Sequence, residues 1–118
     1  MPGRKTSDEK LPELLRLAVL LRDGGSCSYC GKGWGLGVAI HVDHLLPRAW
    51  QGKDVPENLA AACEDCNTLK GTCDLEAFAG MLERHGRIAS AAALIASVRA
   101  RAAKPLDLPA AARLLKVK

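Results

Sequence analysis

Aromatic side chains make up only 3% of this chain of 118 residues, and long apolar runs are missing as well. With two Trp, one Tyr and one Phe, a core has to be built mainly from Leu, Val, Ile and Ala. Arg or Glu interrupts the longest apolar stretches, which excludes a segment that spans a bilayer. The N-terminal residues also lack the basic start, apolar run and cleavage site of a secretion signal. We therefore expect a cytoplasmic protein that does not associate with membranes.

Without a secretion signal, the five cysteines are expected to be metal-bound or free rather than paired in disulfides. A single C-x-x-C motif is a weak signal, because redox sites and chance both produce it. Two such motifs separated by a small subdomain predict a four-thiolate zinc site. The alternatives are four reduced structural cysteines or a disulfide-stapled extracellular domain. The two pairs are Cys27 with Cys30 and Cys63 with Cys66, whereas Cys73 has no matching partner and is expected to be semi-buried.

Positive charge is concentrated near the C-terminus, although the formal net charge is only +4. Residues 25–86 contain five basic and eight acidic residues, whereas residues 87–118 contain seven basic residues and one acidic residue. A DNA-binding surface would therefore use the C-terminal segment, with help from Arg48, Lys53 and Lys70. The alternative is that this segment only keeps the protein soluble. Its basic residues are Arg87, Arg99, Arg101, Lys104, Arg113, Lys116 and Lys118.

The length of the chain predicts a single domain over residues 1–118. The spacing of Leu and Ala predicts an N-terminal helix at about 11–22 and C-terminal helices within about 74–118. The C-terminal helices are expected at about 75–85, 88–103 and 106–118. Between them, apolar and polar residues alternate from Val38 to Asp43, which predicts a strand. This central part has little apolar surface to bury, so we expect it to depend on a bound metal.

Side chains that bind hard cations or transfer protons lie between and after the cysteine pairs. The motifs are His41-Val42-Asp43-His44, then Pro56-Glu57-Asn58-Leu59, and finally Cys63-x-x-Cys66-Asn67-x-x-Lys70-Gly71. Together with Cys27-x-x-Cys30, they closely resemble the HNH endonucleases in their four-cysteine, zinc-binding form. The resemblance extends over about residues 25–72.

This resemblance implies an α+β fold with a ββα-metal core, in which two strands and a helix enclose one divalent cation. The second strand would run over 59–62, where the alanine content alone favours a helix, and the helix would run over 63–70. The flanking helices carry no part of the resemblance.

The resemblance also implies a role for each polar residue of the core. His44 would be the general base at the end of the first strand, and Asn58 would pin the loop between the strands. Asp43 and Asn67 would hold the cation. Gly71 stands where some members carry a second metal-binding histidine, which favours Mg²⁺ or Mn²⁺ over zinc or nickel at this site.

The residue types suit phosphodiester hydrolysis independently of the resemblance. Imidazole titrates near neutral pH and can accept a proton from water. Carboxylate and amide oxygens suit Mg²⁺, which would stabilise the phosphate and the leaving oxygen. A single site is expected to nick DNA and to leave 5′-phosphate and 3′-hydroxyl ends. We assign substrate contacts to Arg48, Lys70 and His41, the alternatives being solvated charges for the first two and an inert strand residue for the third.

Two classes of function are therefore compared: a metal-dependent DNA endonuclease, and a non-catalytic, zinc-stabilised module that binds nucleic acid or a partner protein. His44 and Asn67 favour the endonuclease, because a binding module does not need them. Phage packaging-associated nucleases and restriction enzymes share this resemblance, which makes a larger nuclease or packaging assembly a candidate partner. The sequence predicts no oligomeric state.

Overall fold

Five α-helices and one two-stranded antiparallel sheet are present in residues 11–116, the part of the chain that the computed structural model describes. One helix precedes the two strands and four follow them, which confirms the predicted α+β class. Residues 117–118, which the last predicted helix includes, lie outside the described part. The elements are α1 (Glu13–Arg22), β1 (Ile40–His44), β2 (Leu59–Cys63), α2 (Glu64–Lys70), α3 (Leu75–Arg84), α4 (Ala91–Ala102) and α5 (Leu108–Lys116).

The second strand forms despite its sequence of three consecutive alanines. All five residues of β2 are buried, and it pairs with β1 from Leu59 opposite His44 to Cys63 opposite Ile40. Alanine prefers helix in isolation, so packing decides the outcome here. Its single methyl group lets α1 and α4 approach the strand closely. The strand predicted at 59–62 is confirmed, with one further residue at its end.

The first strand begins two residues later than the alternating pattern predicts. β1 starts at Ile40, which pairs with Cys63. Cys63 is the last residue of β2, and α2 begins directly after it, so no further residue can pair with the segment before Ile40. The preceding segment is a turn in which Gly37 adopts a φ of 72° and the Val38 amide donates to the carbonyl of Gly33. Val38 therefore packs against the core from a loop.

Side-chain caps set the starts of the C-terminal helices. The Asp74 carboxylate accepts a hydrogen bond from the Ala77 amide at the start of α3, as its sequence position predicts. The Ser90 hydroxyl caps α4 in the same way, so this helix begins at Ala91 instead of residue 88. Asp107 accepts from the Ala110 amide, and α5 accordingly begins at Leu108 instead of residue 106.

The core is built largely from aliphatic side chains, as the scarcity of aromatic residues requires. In the described part of the chain, one aromatic contact joins Tyr29 to Phe78, whose rings meet edge to face with centroids 5.1 Å apart. None of the helices in residues 11–116 has the length and apolar surface needed to cross a membrane. The buried aliphatic residues include Val19, Leu20, Val42, Leu45, Leu59, Leu75, Leu82 and Val98.

A buried ionic cluster connects the flanking helices to the sheet. Asp23, at the end of α1, bonds the Arg22 side chain and accepts a hydrogen bond of 2.8 Å from the Ala61 amide in β2. Arg22 also donates to the carbonyl of Ala102 in α4 over 3.0 Å. Arg101 in α4 donates to the carbonyls of Asp23 and Ser26. The helices outside the cysteine-rich segment therefore satisfy polar groups inside it.

Candidate metal centre and active site

The two cysteine pairs converge on one point. The Sγ atoms of Cys27, Cys30, Cys63 and Cys66 all lie within 4.8 Å of one another, and those of Cys30 and Cys63 are 3.6 Å apart. A tetrahedral zinc ion with Zn–S bonds of about 2.3 Å separates its sulfurs by about 3.8 Å, so the cluster has the dimensions of such a site. Cys27 and Cys30 come from the loop before β1, Cys63 is the last residue of β2 and caps α2, and Cys66 lies in the first turn of α2.

Hydrogen bonds within the cysteine cluster favour the negatively charged thiolate form of one of its members. A hydrogen bond from the Cys66 thiol is the main cause that lowers the pKa of Cys27 to about 4. The same hydrogen bond, with burial, raises the pKa of Cys66, and burial raises the pKa of Cys63. Zinc binds thiolates, so a cluster that already favours one thiolate fits the predicted metal.

Asp43 is buried near the end of β1 and carries two hydrogen-bonding partners on one oxygen. The Tyr29 hydroxyl donates to Asp43 Oδ2 over 2.7 Å, and Lys70 Nζ lies 3.2 Å from the same atom. Burial raises the pKa of Asp43, and the Lys70 ammonium and the Tyr29 hydroxyl oppose this rise. Burial, followed by the charge of Asp43, raises the pKa of Tyr29 well above its usual range.

Lys70 occupies a different position from the one that a phosphate contact requires. Its ammonium is fully buried and donates to the backbone carbonyl of His44 over 2.9 Å. With Asp43 as its second partner, the charge is compensated inside the protein. A phosphate contact by Lys70, as expected from the sequence, would require this ammonium to leave both partners.

His44 is also buried, and its two ring nitrogens differ in their surroundings. Nε2 lies 2.6 Å from Oδ1 of Asp54, in the loop between the strands. Nδ1 is buried and has no hydrogen-bond partner among the described residues. Such a nitrogen is rare in folded proteins, where buried polar atoms normally have a hydrogen-bond partner.

Asn58 closes the loop between the strands by three hydrogen bonds. Its Oδ1 accepts from the Leu46 amide over 2.8 Å, and its Nδ2 donates to the carbonyls of Leu46 and Lys53 over 3.0 Å each. Both ends of the loop are thereby held to one side chain. This is the geometry that the predicted pinning role requires.

Asn67 lies on the face of α2 that turns toward the end of β1. Asn67 and Lys70 are the two buried residues of α2, and residues three apart share one helix face. Since the Lys70 ammonium contacts Asp43 and the His44 backbone, α2 presents this face to both residues of the Asp-His pair. The structure therefore brings the predicted acid, base and amide to one end of the sheet.

The remaining predicted substrate residues are engaged within the protein. Arg48 donates from Nε and Nη2 to the two carboxylate oxygens of Asp54, at 3.0 and 2.8 Å. His41 is the one partly exposed residue of β1, and its Nε2 lies 3.2 Å from Oε1 of Glu64. Neither contact excludes a substrate contact as well, because both side chains are partly exposed.

Several residues that sequence reasoning missed take part in this site. Asp54 appears in the sequence only as one acid in a polar loop, and Tyr29 only as a spacer between two cysteines. No sequence pattern predicts the role of either residue, because each contacts its hydrogen-bonding partner only after a loop has folded. One expectation about burial was wrong: Cys73 is exposed instead of semi-buried, because it follows the turn that ends α2 and precedes the cap of α3.

The comparisons with known proteins agree with this geometry. Residues 27–72 match the family model of the HNH endonucleases. Over 60 residues, the chain is 38% identical to the CRISPR-associated endonuclease Cas9 of Corynebacterium diphtheriae, a match that covers 50% of this chain and 5% of that protein. The family model thus confirms, for residues 27–72, the resemblance to the HNH endonucleases that the motifs predict.

A solved structure shows the same fold. The chain is similar to the Type II-C Cas9 enzyme from Actinomyces naeslundii, with a TM-score of 0.51 and 24% identity. The match covers 88% of this chain and 12% of that one. It therefore includes helices outside residues 27–72, although the motifs predict a similarity only within the core.

Proposed function

We propose that the protein is a metal-dependent endonuclease that hydrolyses phosphodiester bonds in DNA, with His44 as the general base. The main support is Nδ1 of His44, a buried ring nitrogen that has no hydrogen-bond partner among the described residues and would be the atom that accepts the proton of a bound water. Further support comes from Lys70, which shares a buried helix face with Asn67 and contacts both the Asp43 carboxylate and the backbone carbonyl of His44.

A divalent cation held by Asp43 and Asn67 would stabilise charge on the phosphate and on the leaving 3′ oxygen. One carboxylate and one amide oxygen are a small, hard donor set, which fits Mg²⁺ or Mn²⁺ that keep several waters. The Lys70 ammonium at Asp43 reduces the local negative charge, and this favours a weakly bound cation. Zinc in the four-cysteine cluster would serve the fold and take no part in the reaction.

In this proposal each residue of the chain has a separate task. His44 removes the proton from the attacking water, Asn58 holds the loop next to it, and Lys70 fixes the backbone of His44. A chain with one such site cleaves one strand, so the expected product is nicked DNA with 5′-phosphate and 3′-hydroxyl ends. The chain spans 5% of the length of its Cas9 relative, and we include a larger assembly as its working context.

Supercoiled plasmid incubated with the protein and Mg²⁺ or Mn²⁺ tests the proposal. We expect conversion to open-circle DNA, and a loss of about 10²–10⁴-fold in rate for His44→Ala. His85→Ala is the matched control, because His85 is exposed at the end of α3 and far along the chain from the site. The variants are compared by circular dichroism, so that unfolding is not read as loss of catalysis.

Two outcomes would contradict the proposal: no open-circle product with any metal, or equal product from the His44→Ala protein. DNA binding without cleavage would instead favour the non-catalytic zinc module. Binding of that kind weakens steeply with salt, because it depends on phosphate contacts.

A further inference from the structure

Asp54 holds the catalytic histidine of the proposed function from outside the HNH motif. Its Oδ1 lies 2.6 Å from Nε2 of His44, and its side chain is 42% exposed whereas that of His44 is 1% exposed. Asp54 thus connects a buried imidazole to the protein surface. Ten residues separate the two along the chain, and neither β1 nor β2 contains Asp54.

Arg48 keeps the Asp54 carboxylate in place and in its ionised form. Two hydrogen bonds, from Nε and Nη2, reach the two oxygens of the carboxylate. These bonds are the main cause that lowers the pKa of Asp54 from 3.8 to about 2, with further contributions from His44. At neutral pH, Asp54 is therefore an acceptor only.

An acceptor at Nε2 decides which nitrogen of a neutral His44 carries the proton. Because Asp54 cannot donate, the hydrogen bond of 2.6 Å requires a proton on Nε2. Nδ1 then carries the lone pair, and this is the nitrogen that has no partner among the described residues. The arrangement parallels the role of an aspartate in orienting a catalytic imidazole.

The loop that carries Asp54 has little freedom to move it. A Cβ atom at Gly52 would lie 1.6 Å from the carbonyl oxygen of Leu46, so only glycine allows this close approach. Gln51 adopts a φ of 68°, and the Asn58 amide donates to the carbonyl of Lys53, next to Asp54. The segment that leads into Asp54 is thus held independently of the contact between Asp54 and His44.

The geometry points to Asp54 as a positioning residue for the proposed reaction, with Arg48 as its anchor. Together they hold the His44 ring with Nε2 protonated and with Nδ1 free to accept the proton of the attacking water. Arg48 then acts mainly within the protein, which differs from the phosphate contact expected from the sequence. This inference depends on the proposed function for its catalytic consequence, but the tautomer of His44 can be measured separately.

The first experiment measures that tautomer in the full chain purified with its bound metal. Long-range ¹H–¹⁵N correlations of a ¹⁵N-histidine sample contain three imidazoles, and the His44→Ala spectrum assigns the one of interest. At a pH of about 8.5, where an ordinary imidazole is neutral, we expect a protonated Nε2 and a bare Nδ1. A protonated Nδ1, alone or together with Nε2, would overturn the inference. So would an unchanged tautomer in Asp54→Ala.

The second experiment measures cleavage by Asp54 variants. Asp54→Ala is expected to lower kcat by about 10–100-fold, the usual cost of removing the partner that orients a functional histidine, with KM little changed. Asp54→Glu should restore part of the rate, because it keeps a carboxylate. Glu57→Gln removes a charge from an exposed position of the same loop and should cleave like the wild type.

The outcomes separate the inference from the proposed function. If Asp54→Ala cleaves as fast as the wild type, or faster because the carboxylate only masks the imidazole, the positioning role is refuted. If the wild type does not nick DNA, the proposed function fails, and the tautomer still reports whether Asp54 holds His44.

Discussion

The HNH segment, residues 27–72, and the helices on either side of it are stabilised by different means. The segment encloses a four-cysteine cluster and buried polar side chains, namely Asp43, His44, Asn67 and Lys70. The flanking helices bury mainly Leu, Val, Ala and one Phe. The comparison shows why the flanks are needed: about half of the buried apolar side chains belong to them, and the buried polar groups of the segment require enclosure.

The two regions meet at Asp23 and Arg101. Asp23 satisfies the Ala61 amide on the side of β2 that faces away from β1, and Arg101 bonds the loop that leads to Cys27. Hence the region that carries the chemistry depends on residues that the family motif does not include. The predictions below test each region, beginning with the largest effect.

Loss of one cysteine should have the largest effect, because the segment has no large core to replace the metal. We expect Cys63→Ser to unfold or aggregate the protein, since structural zinc contributes folding free energy directly. Thermal denaturation followed by circular dichroism, together with zinc content by elemental analysis, measures this. Asn67→Ala is the contrasting variant: it should stay folded and lose cleavage. A Cys63→Ser protein that melts like the wild type would refute a structural role for the cluster.

Removal of the Asp23 carboxylate should have the next largest effect. Asp23→Ala leaves the buried Arg22 guanidinium without its ion-pair partner and the Ala61 amide without an acceptor. We expect a loss of about 3–5 kcal/mol in the free energy of unfolding. Urea denaturation measures it. A loss below about 1 kcal/mol would mean that the flanks contribute to the sheet by apolar packing alone.

Two arginines of α4 form a matched pair with smaller effects. Arg101, 26% exposed, donates to Asp23, Ser26 and Ser28, whereas Arg99, 52% exposed, pairs among the described residues with Glu76 alone. Arg101→Ala should cost about 1.5–3 kcal/mol, because it removes charged hydrogen bonds, and Arg99→Ala about 0–1 kcal/mol. The same urea experiment gives both values. Equal losses would contradict the distinction between a connecting and a solvated arginine.

Arg99 and Arg101 also change the prediction that the basic C-terminal segment binds DNA. The sequence counts Arg99 and Arg101 equally as part of a basic C-terminal segment, but the structure directs Arg101 toward the core and Arg99 toward Glu76. Charge counted along a sequence does not reveal which side chains are neutralised within the fold. The remaining described members are Arg87, Lys104, Arg113 and Lys116, whereas Lys118 lies outside the described residues.

Motif spacing predicted the parts of the site whose geometry is local. The two cysteines of each pair are brought together by one turn, and the common helix face of Asn67 and Lys70 follows from their separation by three residues. The strand at Leu59 is a different case, because its alanines favour helix and only the family resemblance indicated a strand.

The rest of the site depends on contacts that no local pattern encodes. The burial of the Lys70 ammonium requires Asp43 and the His44 carbonyl to be brought to it by another element. The contact between Asp54 and His44 requires the closure of a loop by Asn58 and the close approach at Gly52. A lysine or an aspartate in a sequence carries no sign of such enclosure, so its ordinary, solvated state is what sequence reasoning predicts.

The hydrogen bond from the Ala61 amide to Asp23 limits how the HNH segment can be transferred to another protein. A graft that takes only the residues from Cys27 to Thr72 into another host would cut the chain four residues after this acceptor. The recipient protein would then have to provide a carboxylate at the edge of β2 that faces away from β1. It would also have to provide a cation that pairs with this carboxylate. A segment whose ends are chosen by the family alignment is therefore too short. A transferable segment has to begin before Arg22 and to include α4.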